Sequence, residues 1–414
     1  MLARRLRPAA GRWASQWSSA HRYYSSQPSS SGTPDIDVSK LTVETTSAPK
    51  PLLDAKDLIF GRNFTDHMLS VEWTAKDGWL APRITPYQNL ALDPATCVLH
   101  YAFTCFEGMK AYKDANDRIR LFRPDRNMRR LNRSAARIAL PTFSTDALTS
   151  LMSKFVELER RFIPSQKGYS LYLRPTLIGT QKTLGVGPPG SALLYVIASP
   201  VGPYYPTGFK AVTLEATEHA VRAWPGGVGD RKLGANYAPC IVPQIDAMRR
   251  GFQQNLWLFG EEGYVTEVGT MNMFVAWVNE DGVKELITAP LDGTILEGVT
   301  RESVLELARE RLSKDGWAVS ERKFTIGEVK KAADEGRLLE AFGAGTAAVV
   351  SPVKGITWRG HDIKIPLLPG KETGPLAQKF WDWMCAIQYG DEEHEWRYFK
   401  PRDILVAPRY SRTC

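Results

Sequence analysis

Residues 201–208, VGPYYPTG, concentrate glycine and proline between two long stretches of chain that each mix strand-like and helix-like patterning. Such residues punctuate secondary structure, so one folding unit is expected to end before them and another to begin after them. On the N-terminal side, short apolar and aromatic runs over 98–112 and 119–122, broken by turn residues such as Asp114-Ala115-Asn116-Asp117, predict strands, as do 170–178 and 192–199. Helical spacing runs over 126–140, through Met128, Leu131, Ala135 and Ile138, and again over 147–162. On the C-terminal side, 209–215, 255–259 and 271–277 read as strands and 298–312 as an amphipathic helix through Val304, Leu307, Ala308 and Leu312. A chain of 414 residues can bury two cores. The expectation is an α+β protein with a domain over 52–200, a connection at 201–208 and a second domain over 209–396.

The formal charge of +8 suggests nucleic-acid or membrane binding until it is located. Residues 1–34 contribute Arg4, Arg5, Arg7, Arg12 and Arg22 with many serines and no acid, the composition of a mitochondrial transit peptide with cleavage near 24/25. The tail over 397–414 holds Arg397, Lys400, Arg402, Arg409 and Arg412 against Asp403 alone, which leaves the intervening chain near neutral. Residues 35–51 are Ser/Thr/Pro-rich and are expected to be a disordered linker. Five cysteines, Cys97, Cys105, Cys240, Cys385 and Cys414, form no C-x-x-C and fit neither a disulfide scaffold nor a zinc site. No histidine spacing suits a metal, and no apolar run approaches the roughly 18 residues of a membrane span.

Three motifs could carry chemistry. Gly343-Ala344-Gly345-Thr346-Ala347-Ala348 matches a dinucleotide-binding glycine pattern, but Val349-Val350-Ser351-Pro352 follows where that fingerprint needs a helix. The loop remains a candidate anion site through its amides and the Thr346 hydroxyl. Gly298-Val299-Thr300-Arg301 opens a helix whose first N–H groups favour a phosphate, unless Thr300 is an ordinary cap. Lys232 follows a glycine-rich segment and stands beside Arg231; it is either a solvated surface lysine or an amine whose pKa is lowered for nucleophilic work.

Taken together, KLGANY (232–237), YVTEVGTMN (264–272), GVTR (298–301) and FGAGTA (342–347) occur in one order with FEGMK (106–110), FRP (122–124), YLRP (172–175) and SPVGPY (199–204). In that combination the chain resembles the branched-chain amino acid aminotransferases, pyridoxal-phosphate enzymes of fold type IV, from about Phe60 to Trp396. The resemblance implies a small N-terminal α/β domain, a larger pseudo-barrel α/β domain, and pyridoxal 5′-phosphate as cofactor. It implies that Lys232 holds the cofactor and moves a proton at the substrate α-carbon. Glu267 would face the pyridine nitrogen and Tyr237 the phenolic oxygen, with Thr270 also at the cofactor. The phosphate would meet Arg130, Val299, Thr300 and Thr346. Tyr101 and the Thr346-Ala347 backbone would receive the substrate carboxylate, Arg174 and Tyr172 would lie near the side chain, and Phe60, Phe106 and Tyr204 would form walls.

The activity so implied is reversible transamination of leucine, isoleucine and valine with 2-oxoglutarate by a homodimer in the mitochondrial matrix, without nucleic acid or membrane insertion. Mammalian mitochondrial members carry a redox C-x-x-C after the G-T-A loop, where this chain has Ala348 and Ser351. A D-amino acid aminotransferase or aminodeoxychorismate lyase shares the fold, although the YLRP and GPY segments argue against both. A basic mitochondrial nucleic-acid-binding protein is the alternative of another class, and it lacks any recognised module.

Overall fold

The computed structural model describes residues 32–203 and 209–398, with the side chains of 397 and 398 excepted. The proposed cleavage site near 24/25, most of 201–208 and all but the first residues of the C-terminal tail lie outside the described residues.

Strands form two separate sheets. The first contains β1 (Thr42–Val43), β2 (His67–Thr74), β3 (Gly78–Trp79), β4 (Arg83–Pro86), β5 (Thr104–Phe106), β6 (Met109–Lys113), β7 (Ile119–Phe122), β8 (Ser170–Gly179) and β9 (Ser191–Val201). The path runs β1-β4-β2-β9-β8-β6-β7, with β3 on β2 and β5 on β8. Its spine is the β8/β9 pair, in register from Ser170 opposite Val201 to Gly179 opposite Ala192. Helices α2 (Pro124–Arg137) and α3 (Thr145–Leu158) follow the short α1 (Cys97–Tyr101) in the chain. They bury Met128, Leu131, Ala135, Leu148, Leu151, Met152 and Phe155 in the core of this sheet.

The second sheet comprises β10 (Val212–Thr217), β11 (Gln254–Phe259), β12 (Tyr264–Val268), β13 (Met271–Val278), β14 (Lys284–Thr288), β15 (Ala318–Glu321), β16 (Leu338–Gly345), β17 (Val349–Trp358) and β18 (His361–Lys364). The pairings β10-β11-β12-β13-β16-β17 return to β10, so six strands close into a barrel with no free edge. This is the pseudo-barrel expected for the C-terminal half. β13 explains why its run reads as almost wholly apolar: Met273, Val275 and Trp277 join one core, while Phe274 and Ala276 join another. After α4 (Ile241–Arg249), the second of these is completed by α5 (Val299–Leu307) and α7 (Pro375–Tyr389), and the first by α6 (Ile326–Asp334). A last strand, β19 (Arg397–Tyr398), pairs with β7, so the basic tail begins inside the first sheet.

Two expectations need correction. Residues 98–101 are helical rather than extended, because a short apolar run has no periodicity that separates strand from helix. Residues 35–51 are not a disordered linker: Ile36 is 6% exposed in the first core, β1 pairs in parallel with β4, and the Thr46 and Lys50 amides donate to His67 and Asp66. Their polar composition hides one buried anchor and a series of backbone bonds. Ile36→Ala is therefore expected to lower stability by about 2–5 kcal/mol in urea unfolding, where a free linker would show no change.

Candidate active site

The two sheets meet where Cys105 bridges Leu233 and the Phe106 N–H donates to the Lys232 carbonyl at 3.1 Å. From the other side, the Lys232 amide donates to Ser134 Oγ on α2 at 2.9 Å. Asn236 Nδ2 braces the same loop by donating to the Val228 and Arg231 carbonyls. Lys232 thus sits in a loop, half-buried, with its backbone fastened on both flanks. Its Nζ lies 3.1 Å from the Tyr237 hydroxyl and 5.2 Å from the centre of the Phe106 ring.

An aromatic line leads away from Lys232. Tyr237 and Phe106 pack with centroids 5.0 Å apart, the Arg174 guanidinium lies 4.7 Å over Phe106, and Phe60 meets Tyr172 edge-on at 4.9 Å. The period of β8 puts Tyr172 and Arg174 on one face while Leu171 and Leu173 enter the core. Arg174 Nη2 donates to the Tyr172 hydroxyl at 3.1 Å, whereas among the described residues its Nε is buried without a partner. Such a donor is open to an acceptor beyond those residues. Gly108 is obligatory here, since a Cβ would come within 2.0 Å of the Tyr172 hydroxyl oxygen.

Glu267 is buried on β12. Its Oε2 is 2.8 Å from Arg222 Nε, and its Oε1 accepts from the Leu296 amide at 2.7 Å and from Asn272 Nδ2 at 3.2 Å. Burial pushes this carboxyl above its ordinary pKa, while Arg222, the Leu296 amide, Lys232 and Arg130 pull against that shift. Arg222 and Asn272 were not distinguishable in sequence as site residues; Arg222 precedes its partner by 45 positions, and no spacing rule joins them.

A second buried pair completes the floor. Arg130 Nε and Nη2 each donate at 2.7 Å to the two oxygens of Glu107, a fully buried carboxylate also bonded by Asn127 Nδ2. Burial by itself would lower the Arg130 pKa, but the Glu107 charge and hydrogen bonds, with Tyr237 and Tyr172, together outweigh it and raise it. The remaining Arg130 Nη1 donates to the Glu297 carbonyl, one residue before Gly298, which caps α5 without any side-chain bond. Gly298 is required because a Cβ would come within 2.0 Å of Asn272 Oδ1. Val299, Thr300 and Thr346 line one small cavity with Gly108, Asn127 and Lys110. The two anion motifs of the sequence, at the start of α5 and in the glycine loop, therefore converge. The glycine loop leads into β17, which agrees with rejecting a dinucleotide fingerprint.

Other residues stand apart from Lys232. Tyr101 is exposed on α1, with its hydroxyl donating to the Leu184 carbonyl and its ring against Phe103. Thr270 is exposed in the turn between β12 and β13. Ala347 presents its carbonyl to Lys110 Nζ at 2.8 Å, and Tyr204 lies outside the described residues.

Residues 104–356 match the family model for class IV amino-transferases. The cytosolic branched-chain-amino-acid aminotransferase of Saccharomyces cerevisiae is 60% identical over 87% of this chain and 96% of its own. The mitochondrial enzyme of that name from Mus musculus is 48% identical over 87% and 90%. Among solved structures, the branched-chain aminotransferase of the thermophilic archaeon Thermoproteus uzoniensis with norvaline aligns at a TM-score of 0.63 and 26% identity, over 80% of this chain and 99% of that one. With the family model covering more than half of its length, the chain belongs to the class IV aminotransferases.

Proposed function

We propose that the protein catalyses reversible transamination of L-leucine, L-isoleucine and L-valine with 2-oxoglutarate, giving the branched-chain 2-oxo acids and L-glutamate, with pyridoxal 5′-phosphate as cofactor. The observation that carries this is the meeting at one seam of a lysine amine, a tyrosine hydroxyl and an arginine-paired carboxylate. The residues suit the cofactor. The open start of α5, Arg130 and the hydroxyls of Thr300 and Thr346 offer a phosphate donors and positive charge. When bound, the cofactor supplies an electrophilic carbon and a ring that accepts the electron pair released at the substrate α-carbon.

The chain's own groups do the rest. Lys232 would hold the cofactor, and its amine would move a proton at the substrate α-carbon. Tyr237, its hydroxyl 3.1 Å from the Lys232 amine, orients that amine and would meet the ring's phenolic oxygen. Glu267 would face the ring nitrogen and keep it protonated, and Arg222 opposes the rise that burial imposes on the Glu267 carboxyl. Phe60, Phe106 and Tyr172 receive an aliphatic side chain, while the unpartnered Arg174 Nε suits the second carboxylate of glutamate. One pocket so built accepts both substrates in turn, as a ping-pong cycle demands. Thr270 and Tyr204 belong to the same reading of the site.

Homodimer formation is part of the same proposal. Leu99, Tyr101, Leu184 and Val186 expose apolar side chains at one corner, and a second copy would bury them. The arginine-rich, acid-free residues 1–34 support delivery to the mitochondrial matrix. The two separate sheets support division of the chain into two units, the first of which also takes in residues 36–51 and β19.

Borohydride reduction of the purified protein is expected to bleach a visible absorption band and leave cofactor mass on the Lys232 peptide; a Lys232→Ala protein that still turns over leucine normally would overturn the assignment. Arg222→Met should let Glu267 take up its proton at higher pH, so the acid limb of the kcat/KM profile moves upward. An unchanged limb would show that Arg222 does not control Glu267.

A further inference from the structure

Lys110 on β6 is 8% exposed, and the cycle above gives it no task. Among the described residues no carboxylate lies within ion-pair distance of its ammonium. Burial pushes it down to about 8, with Cys385 on α7 acting in the opposite direction. A buried cation without a counter-charge is costly and needs a compensating bond. That bond is the one from Nζ to the Ala347 carbonyl at 2.8 Å, joining β6 of the first sheet to the loop between β16 and β17 of the barrel.

A second, independent observation concerns the same loop. Val349 has φ +64°, a left-handed conformation that a β-branched residue rarely adopts. The Val350 amide donates to the Ala348 carbonyl at 2.8 Å across it, closing a three-residue turn of the strained kind. Strain of this sort persists only where the surroundings over-determine it. The Ala347 carbonyl belongs to the peptide just before this turn, so the Lys110 bond acts where the strained backbone begins. Lys110 also lines the small cavity shared with Thr300 and Thr346.

We propose that Lys110 is a positioning residue that pins the strained 346–349 loop against relaxation, keeping the Thr346 and Ala347 amides aimed at the substrate carboxylate. The inference rests on reading those amides as the carboxylate seat, and the experiment separates the two.

The cofactor-loaded enzyme and its Lys110→Met and Lys110→Arg variants are compared in three ways. These are steady-state kinetics with leucine and 2-oxoglutarate, equilibrium binding of 4-methylvaleric acid, which is leucine's skeleton without the amino group, and amide exchange over 346–350. Lys110→Met is expected to raise KM and the 4-methylvaleric acid Kd about tenfold, the size of one charge-assisted hydrogen bond, with kcat changed by less than about threefold. Exchange over 346–349 should quicken while cofactor content is unchanged. Lys110→Arg, which keeps the charge and the donor, should restore affinity. If the Met variant does not fold, Lys110→Gln, a donor one atom short, should show the same split more weakly. Unchanged KM, Kd and exchange, or a fall confined to kcat, would overturn the inference. If 4-methylvaleric acid does not slow exchange at the 346–348 amides of the unsubstituted enzyme, the carboxylate seat itself is misplaced, whatever the variants do.

Discussion

The bidentate pair between Glu107 and Arg130 ties the first sheet, α2 and the start of α5 to one another. Both side chains are almost wholly removed from solvent. Glu107 follows β5, its amide donates to the Pro175 carbonyl of β8, and its carboxylate takes three bonds from α2. The third direction of the guanidinium reaches the residue before the cap of α5. One fork thus sets a helix of the first sheet against a helix start of the barrel. Removing one partner of such a pair leaves an isolated buried charge, a cost of about 3–5 kcal/mol.

Around that fork, charge is arranged in a water-poor seam by pairing and not by exposure. Glu267 is held between Arg222 and a backbone amide, Arg130 is answered by Glu107, and Lys110 spends its bond on a carbonyl. Each group is thereby fixed in position before any ligand arrives. Preorganised charge is worth more in such a setting than in water, because nothing has to reorient when charge develops at the reacting centre. The cost appears as local strain at Val349 and as glycines at 108 and 298, where no Cβ fits.

Much of this was legible beforehand, and for an identifiable reason. Lys232, Tyr237 and Glu267 stand in motifs whose order along the chain carries the family resemblance, and the barrel strands betray themselves as apolar runs buried on both faces. What escaped was of two kinds. Arg222 and Glu107 are the partners of Glu267 and Arg130, and a partner chosen by proximity across the fold leaves no periodic trace; 23 positions separate Glu107 from Arg130 and 45 separate Arg222 from Glu267. Residues 35–51 misled for the opposite reason, since polar composition argues for disorder while backbone bonding, which composition does not encode, orders them.

By itself the sequence determined which chemistry is possible here: an amine, a phenol, carboxylates and guanidiniums in a family order, with basic character confined to the two ends. It also determined most of the elements, because apolar periodicity is a local property. Only the tertiary structure decided that two weak anion motifs share a cavity, that Arg222 guards Glu267, and that a lysine on β6 reaches 237 residues along the chain to grip the glycine loop. Those relations are set by closure of the barrel and by its docking on the first sheet. They are long-range in sequence and short-range in space, and no pattern read along one chain contains them.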